Sequence, residues 1–166
     1  MKTVRSNKIA KIAASVALGL GVVAGANAVD ETFKAQLRIL SPITITEDQA
    51  MDFGETAQGL ADPIAATDAN NKYAAFTVNG DASKTATASV VESSIEMKTG
   101  DGADTTKKVT VDSFSVGVGG SGGGDQLDFV GDGEVSDVRV YGTAHQEAED
   151  IAGLYTGDVT FRVVYN

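Results

Sequence analysis

The stretch GLYTGDVTFRVVYN, residues 153–166, decides how the chain is read. Apolar or aromatic side chains stand at Tyr155, Val159, Phe161, Val163 and Tyr165, and Asp158, Thr160 and Arg162 stand between them. That alternation is the period of a half-buried β-strand. Chain ends fray unless something ties them down. Here the apolar face runs to the penultimate residue, so what this strand pairs with becomes the central question.

The opposite end points to export. Residues 1–28 carry Lys2, Arg5, Lys8 and Lys11, then the run IAASVALGLGVVAG, then Ala26-Asn27-Ala28. A basic segment, an apolar segment and an A-x-A site in that order form a cleavable secretory signal, with cleavage expected after Ala28. The apolar run is shorter than the ~20 residues that span a bilayer. Removing 28 of the 166 residues leaves 138. It takes four of the 13 basic residues and none of the 23 acidic ones, leaving nine against 23, a net charge of −14. Such acidity argues against nucleic acid or an anionic membrane as partner. The mature length fits one domain. There is no cysteine, which excludes disulfides, thiolate metal sites and lipid-modified cysteine, and leaves a secreted domain to be held by its core or by other chains.

The mature sequence is expected to be all-β. Candidate strands are 33–40, 43–45, 73–78, 85–91, 109–118, 126–130, 135–142 and 158–165, rich in Val, Thr, Phe and Tyr and separated by clusters such as NGDAS, TGDGAD and GDG. Short strands at this spacing point to a sandwich or barrel. Only AHQEAEDIA, residues 144–152, has helical composition, enough for a single turn or a loop. The run GVGGSGGGD, residues 117–125, reads as a flexible loop.

Little chemistry stands out. His145 is the only histidine and lies in a polar stretch, where a solvated loop position is the ordinary role. No serine lies in a G-x-S-x-G elbow, and the glycines of 117–125 lack the spacing of a dinucleotide cradle. Asp128, Asp132, Glu134 and Asp137 fall within ten residues, with Asp101 and Asp104 upstream. Carboxylates around glycine turns can hold Ca²⁺, but these lack the EF-hand spacing, and Asp-Gly is also ordinary hairpin chemistry. They are weak calcium candidates beside an expectation of no metal and no cofactor. Paired carboxylates could serve a glycosidase, yet there is no tryptophan for a sugar platform. The expectation is a protein that is not an enzyme.

A second alternating stretch opens the mature chain. In FKAQLRIL, Phe33, Ala35, Leu37 and Ile39 point one way and Lys34, Gln36 and Arg38 the other; Ser41-Pro42 then interrupts it. Eight residues at ~3.3 Å reach about 26 Å, enough to fill one groove along a sandwich.

The chain ending resembles the C-terminal signature of Gram-negative chaperone–usher pilins: a glycine fourteenth from the end (Gly153), a penultimate tyrosine (Tyr165), and alternating apolar residues between. That resemblance implies an immunoglobulin-like β-sandwich lacking its last strand, completed first by a periplasmic chaperone and then by the N-terminal extension of the next subunit. Carried over by position, Phe33, Ala35, Leu37 and Ile39 would be donor-strand residues. Gly153, Tyr155, Val159, Phe161, Val163 and Tyr165 would form the acceptor groove and the chaperone-pairing strand. The implied organisation is a signal (1–28), an extension or donor strand (29–41) and a pilin-like domain (42–166). The implied partners are identical subunits, the chaperone and an outer-membrane usher, and the implied place is an extracellular fimbria reached through the periplasm, serving adhesion or biofilm formation as the shaft.

The chain also resembles a small secreted bacterial β-sandwich family of unassigned function. The matching features are Ile43-Thr44-Ile45, Asp52-Phe53-Gly54, and Gly153, Tyr155 and Gly157. The two resemblances part on one point. If 33–45 is one continuous first strand of a closed domain, no donor arm remains, and the alternative is a self-contained sandwich that binds a glycan or matrix component, with or without calcium.

Overall fold

The structure, a computed structural model, describes residues 30–119 and 124–166. Residues 1–28, expected as a signal, and the centre of the glycine-rich loop lie outside the described residues. Two units are distinguished, one ending at Leu37 and one running over Arg38–Asn166, and the fold is that of the second.

Nine strands follow one another: β1 (Thr44–Gln49), β2 (Pro63–Ala65), β3 (Ala74–Asn79), β4 (Lys84–Val90), β5 (Ser94–Lys98), β6 (Lys108–Val118), β7 (Gln126–Phe129), β8 (Glu134–His145) and β9 (Phe161–Tyr165). No α-helix occurs among the described residues. The first sheet runs β1-β3-β8-β6-β5, with β2 on the end of β8; the second runs β7-β4-β9, and every pairing is antiparallel. The protein is therefore all-β, with two antiparallel sheets in an arrangement compatible with a β-sandwich.

Alternation dictates which face each strand buries. In β8, Val138, Val140, Gly142 and Ala144 are buried and the residues that alternate with them are not, the period-two pattern of a strand with one wet face. The core has two centres. Val78, Ala86, Ala88, Leu127, Phe129 and Val138 form the first, where both sheets contribute. Val109, Val111 and Ala144 form the second, joined by Phe53, Ile95, Met97, Phe114 and Tyr155. Only the first sheet supplies strands there, and two loop segments cover its face. β6 passes from the second centre to the first across a register shift between Asp112 and Ser115, and the β3–β8 pairing shifts within the first centre, where β8 carries an extra residue between Val135 and Val138. The left-handed residues Ser113 on β6 and Asp137 on β8 (φ 54° and 59°) lie at these shifts, the geometry by which an extra residue bends a strand. Close approach fixes one glycine: a Cβ on Gly80 would stand 2.6 Å from the Phe129 ring, which seals the end of the first core.

Several expected elements differ. Residues 33–40 alternate like a strand but form none, because a strand exists only where a ladder satisfies its backbone, and no ladder reaches them. Of the segment 43–45, Ile43 precedes the strand, and Thr44 and Ile45 open a longer edge strand, β1, whose later residues are polar. β2 and β5 are additions. β2 opens on Pro63, a residue suited to a strand's first position. β5, SIEMK, turns only Ile95 and Met97 inward. The helical composition of 144–152 is overridden: Ala144 and His145 end β8, and 147–150 closes a turn through Asp150, whose N–H bonds the Glu147 carbonyl. His145 is thus a strand residue, not a loop one. Gly117 and Val118, claimed both by the expected strand 109–118 and by the expected loop 117–125, belong to the strand and complete β6.

Candidate functional site

β9 pairs with β4 from Ala86↔Tyr165 to Val90↔Phe161, and no strand pairs with its other edge among the described residues. β1 likewise ends the first sheet. Both edges border the first core: Ile43 packs on it just before β1, and Phe161, Val163 and Tyr165 pack on it from β9. The Phe161 ring stacks on Phe76 across the two sheets, with centroids 4.5 Å apart and planes 13° apart.

Directly paired residues share a face, so exposure along each pair measures how far the core is covered. Val78 is 0% exposed, while its partner Ile45 on β1 is 41% exposed. Ala88 and Ala86 are 0% exposed, while their partners Val163 and Tyr165 are only half-buried. Cover is complete at the inner strands and falls away at β1 and β9. The result is a partly covered apolar margin beside a strand whose outer edge has no ladder partner among the described residues, the situation that invites an added strand.

The start of β9 is clipped to the link between β4 and β5. Glu92 accepts the Thr160 N–H at 2.9 Å and its hydroxyl at 2.8 Å, and Val91 N–H donates to the Thr160 carbonyl at 3.0 Å. These bonds favour the charged carboxylate and hold Glu92 below its ordinary value of 4.5. A folded-state value lowered in this way contributes stability that is complete above the unfolded value and is lost as pH falls through the folded one. The thermal midpoint is therefore expected to drop once pH falls below about 4.5, and a pH series on Glu92→Gln should show a shallower acid limb than the parent. A limb of equal slope in both would remove Glu92 from the account.

The sequence-derived acceptor residues separate into two groups. Phe161, Val163 and Tyr165 lie together on β9. Val159 precedes the strand and is 37% exposed. Tyr155 belongs to the second core, where its hydroxyl donates to the carbonyls of Thr106 (2.9 Å) and Ile151 (2.8 Å) and burial pushes its pKa up. Gly153 packs against Thr99. The proposed donor residues lie in a segment without secondary structure: Phe33 is 90% exposed, Leu37 87% and Ile39 84%, and Ala35 is exposed as well.

The structure also gives the two remaining motifs a place. Phe53 of Asp52-Phe53-Gly54 and Tyr155 of the glycine-flanked segment meet at the second core. Their segments border a cleft of ≈ 510 Å³, which Met97, Gln146 and Leu154 also line. Phe53 and Tyr155 are about a hundred positions apart, and nothing in the local sequence signals that they meet. The same holds for Phe76, which stacks on Phe161 and stood out in no motif, and for Ile43, which the sequence marked only as part of the Ile43-Thr44-Ile45 feature and which packs on the first core.

The acidic candidates are not gathered. Asp128 accepts from Gln126 and Asp132 from the Glu134 N–H, while Asp137 pairs with Arg139 at 2.6 Å. Among the described residues no group of three or more metal-ligating side chains is placed to hold an ion. His145 Nε2 lies 2.9 Å from Asp112 Oδ1, and Ser113 Oγ donates to that same oxygen at 2.9 Å. Serine and histidine thus both bond the carboxylate, whereas nucleophile activation needs the histidine on the serine. Among the described residues no helix is long and apolar enough to cross a membrane.

Comparison with known proteins returned no matching family model, no significantly similar curated protein and no significantly similar solved structure.

Proposed function

We propose that this chain is the repeating structural subunit of an extracellular filament, a fimbrial pilin of the chaperone–usher type acting in adhesion or biofilm formation. In this reading the domain is an incomplete immunoglobulin-like sandwich. The margin between β1 and β9 takes the extension of a neighbouring copy, with Phe33, Ala35, Leu37 and Ile39 turned inward. The observation that carries it is the presence in one chain of an incompletely covered apolar edge and an exposed alternating segment: Ile45 and the half-buried face of β9 on one side, Phe33, Leu37 and Ile39 at 84–90% exposure on the other. An alternating segment outside any ladder and a partly covered core edge are complementary needs, and each can be met by a second copy.

The physics of the contact is strand addition: backbone bonds extend the ladder and alternate side chains fill the margin. Burial of Phe33, Leu37 and Ile39 contributes ~1.5–3 kcal/mol each. Donor and acceptor are different surfaces, so the contact is heterologous and propagates as a filament. The chaperone fills the margin before assembly, and the usher passes subunits outward. A net charge of −14 on the processed chain keeps filaments dispersed.

Surface material sheared from producing cells is expected to run as a ladder of multimers on SDS gels without boiling, to collapse to one band on boiling, and to show filaments by electron microscopy. A single monomer band under both conditions would instead mark a self-contained secreted domain.

A further inference from the structure

We infer that Asp81 and Tyr165 are positioning residues that pin the root of the N-terminal extension, residues 38–41, to the end of β9. Asp81 lies in the turn between β3 and β4. Its two carboxylate oxygens accept from Arg38 Nη2 and from the Ser41 N–H, each at 3.2 Å. Its own N–H donates to the Tyr165 hydroxyl at 2.6 Å, and that hydroxyl donates to the Ser41 carbonyl at 2.9 Å. Both backbone groups of Ser41 are therefore bound, one by each residue, and Pro42 follows with its φ fixed by the ring.

The Arg38 ion pair alone would hold little. The arginine side chain is 67% exposed, and such pairs contribute ~0–1 kcal/mol. The Asp81 side chain is only 16% exposed, and its turn is itself tied down. Gly80 N–H donates to the Gly133 carbonyl at 2.9 Å and Ser83 N–H to the Phe129 carbonyl at 2.6 Å. Tyr165 is fixed from the other side, its ring edge-on to Phe129 at 5.9 Å. A rigid turn and a rigid strand end thus hold one short segment between them. The bonds begin at Arg38, the first residue of the compact unit.

The consequence concerns assembly and rests on the filament reading. The last tyrosine of the acceptor strand is also the anchor of the same subunit's donor segment, so the donor leaves from a set point on the acceptor strand. An unpinned root would let residues 33–40 swing freely and raise the entropy lost on insertion into a neighbour.

The test is limited trypsin digestion of the monomeric full chain, which has cleavage sites on either side of the pinned boundary. Cleavage after Lys34 is expected to be about tenfold or more faster than cleavage after Arg38, because the second requires Arg38 to leave Asp81 and Ser41 to be released. Tyr165→Phe keeps the ring against Phe129 and removes both hydroxyl bonds, so cleavage after Arg38 should rise by roughly tenfold while Lys34 and the thermal midpoint change little. Asp81→Ala should do the same by a second route, and the Ser41 amide should exchange faster in both. Equal cleavage at Lys34 and Arg38 in the parent, or no acceleration in either variant, would overturn the inference. A protected Arg38 in a chain that never forms multimers keeps the pin and refutes the filament; an unprotected Arg38 in a chain that does form them refutes only the pin.

Discussion

Phe161→Asp is expected to lower the stability of the isolated domain by about 3 kcal/mol, since it removes a half-buried ring from the first core and sets a carboxylate in its place. The ring is stacked on Phe76 at 4.5 Å, and no other described aromatic stacks across the two sheets in this way. The melting temperature should fall by about 10 °C in a thermal scan. Assembly should fail more completely than stability. The position lies on the open side of β9, so a charge there would be buried by an incoming strand without a partner. The gel ladder should vanish even at temperatures where the variant is still folded. A variant that melts as expected yet still builds filaments would show that the donor does not pass over β9.

Removal of residues 30–40 is the complementary experiment and separates the two readings of the extension most sharply. If these residues are a donor arm, deletion leaves the melting temperature of the monomer nearly unchanged. Phe33 and Leu37 are 90% and 87% exposed, and changes at such positions stay within about ±0.5 kcal/mol. Multimers should be lost altogether. The double variant Phe33→Asp, Leu37→Asp should behave alike, losing at least ~3 kcal/mol of apolar burial in the contact, more than 100-fold in affinity. A synthetic peptide of residues 30–41 added to the deleted chain should raise its melting temperature by mass action. If instead the segment is the first strand of a closed domain, the deleted chain will not fold and the peptide will restore it only as a missing piece of core. Persistence of multimers without the segment would place the contact elsewhere.

The strands legible in the sequence were those whose alternation was sustained. β3, β4, β6, β7 and β8 fall within a residue or two of the segments expected from period-two patterning, apart from the extension of β8 to His145. The misses have local causes. β2 is a three-residue strand beginning with proline, too short to carry a pattern. β5 has only Ile95 and Met97 to mark it. Residues 33–40 carry as good an alternation as any strand present, yet join no ladder among the described residues, because alternation records which face a segment can bury and not whether a neighbour exists to bury it. At the candidate site, Phe161, Val163 and Tyr165 were readable because they lie on one strand. Tyr155 was grouped with them by parity, but β9 begins only at Phe161, and the segment before it is held at Thr156 by a bridge to Lys98, which keeps Tyr155 at the other core.

Composition and patterning by themselves determined that the protein is all-β, that it is cysteine-free and strongly acidic, and that two alternating apolar segments stand at 33–39 and 159–165. These are properties of residue type and local period, which need no partner to be read. Only the tertiary structure decided that β9 has one paired edge and, among the described residues, one without a partner strand, that Phe76 stacks on its Phe161, and that Asp81 and Tyr165 together bind Ser41. Each of these joins residues from tens to more than a hundred positions apart, and the order in which strands take their places in a sheet is set by the packing of the whole core rather than by the sequence within any one of them.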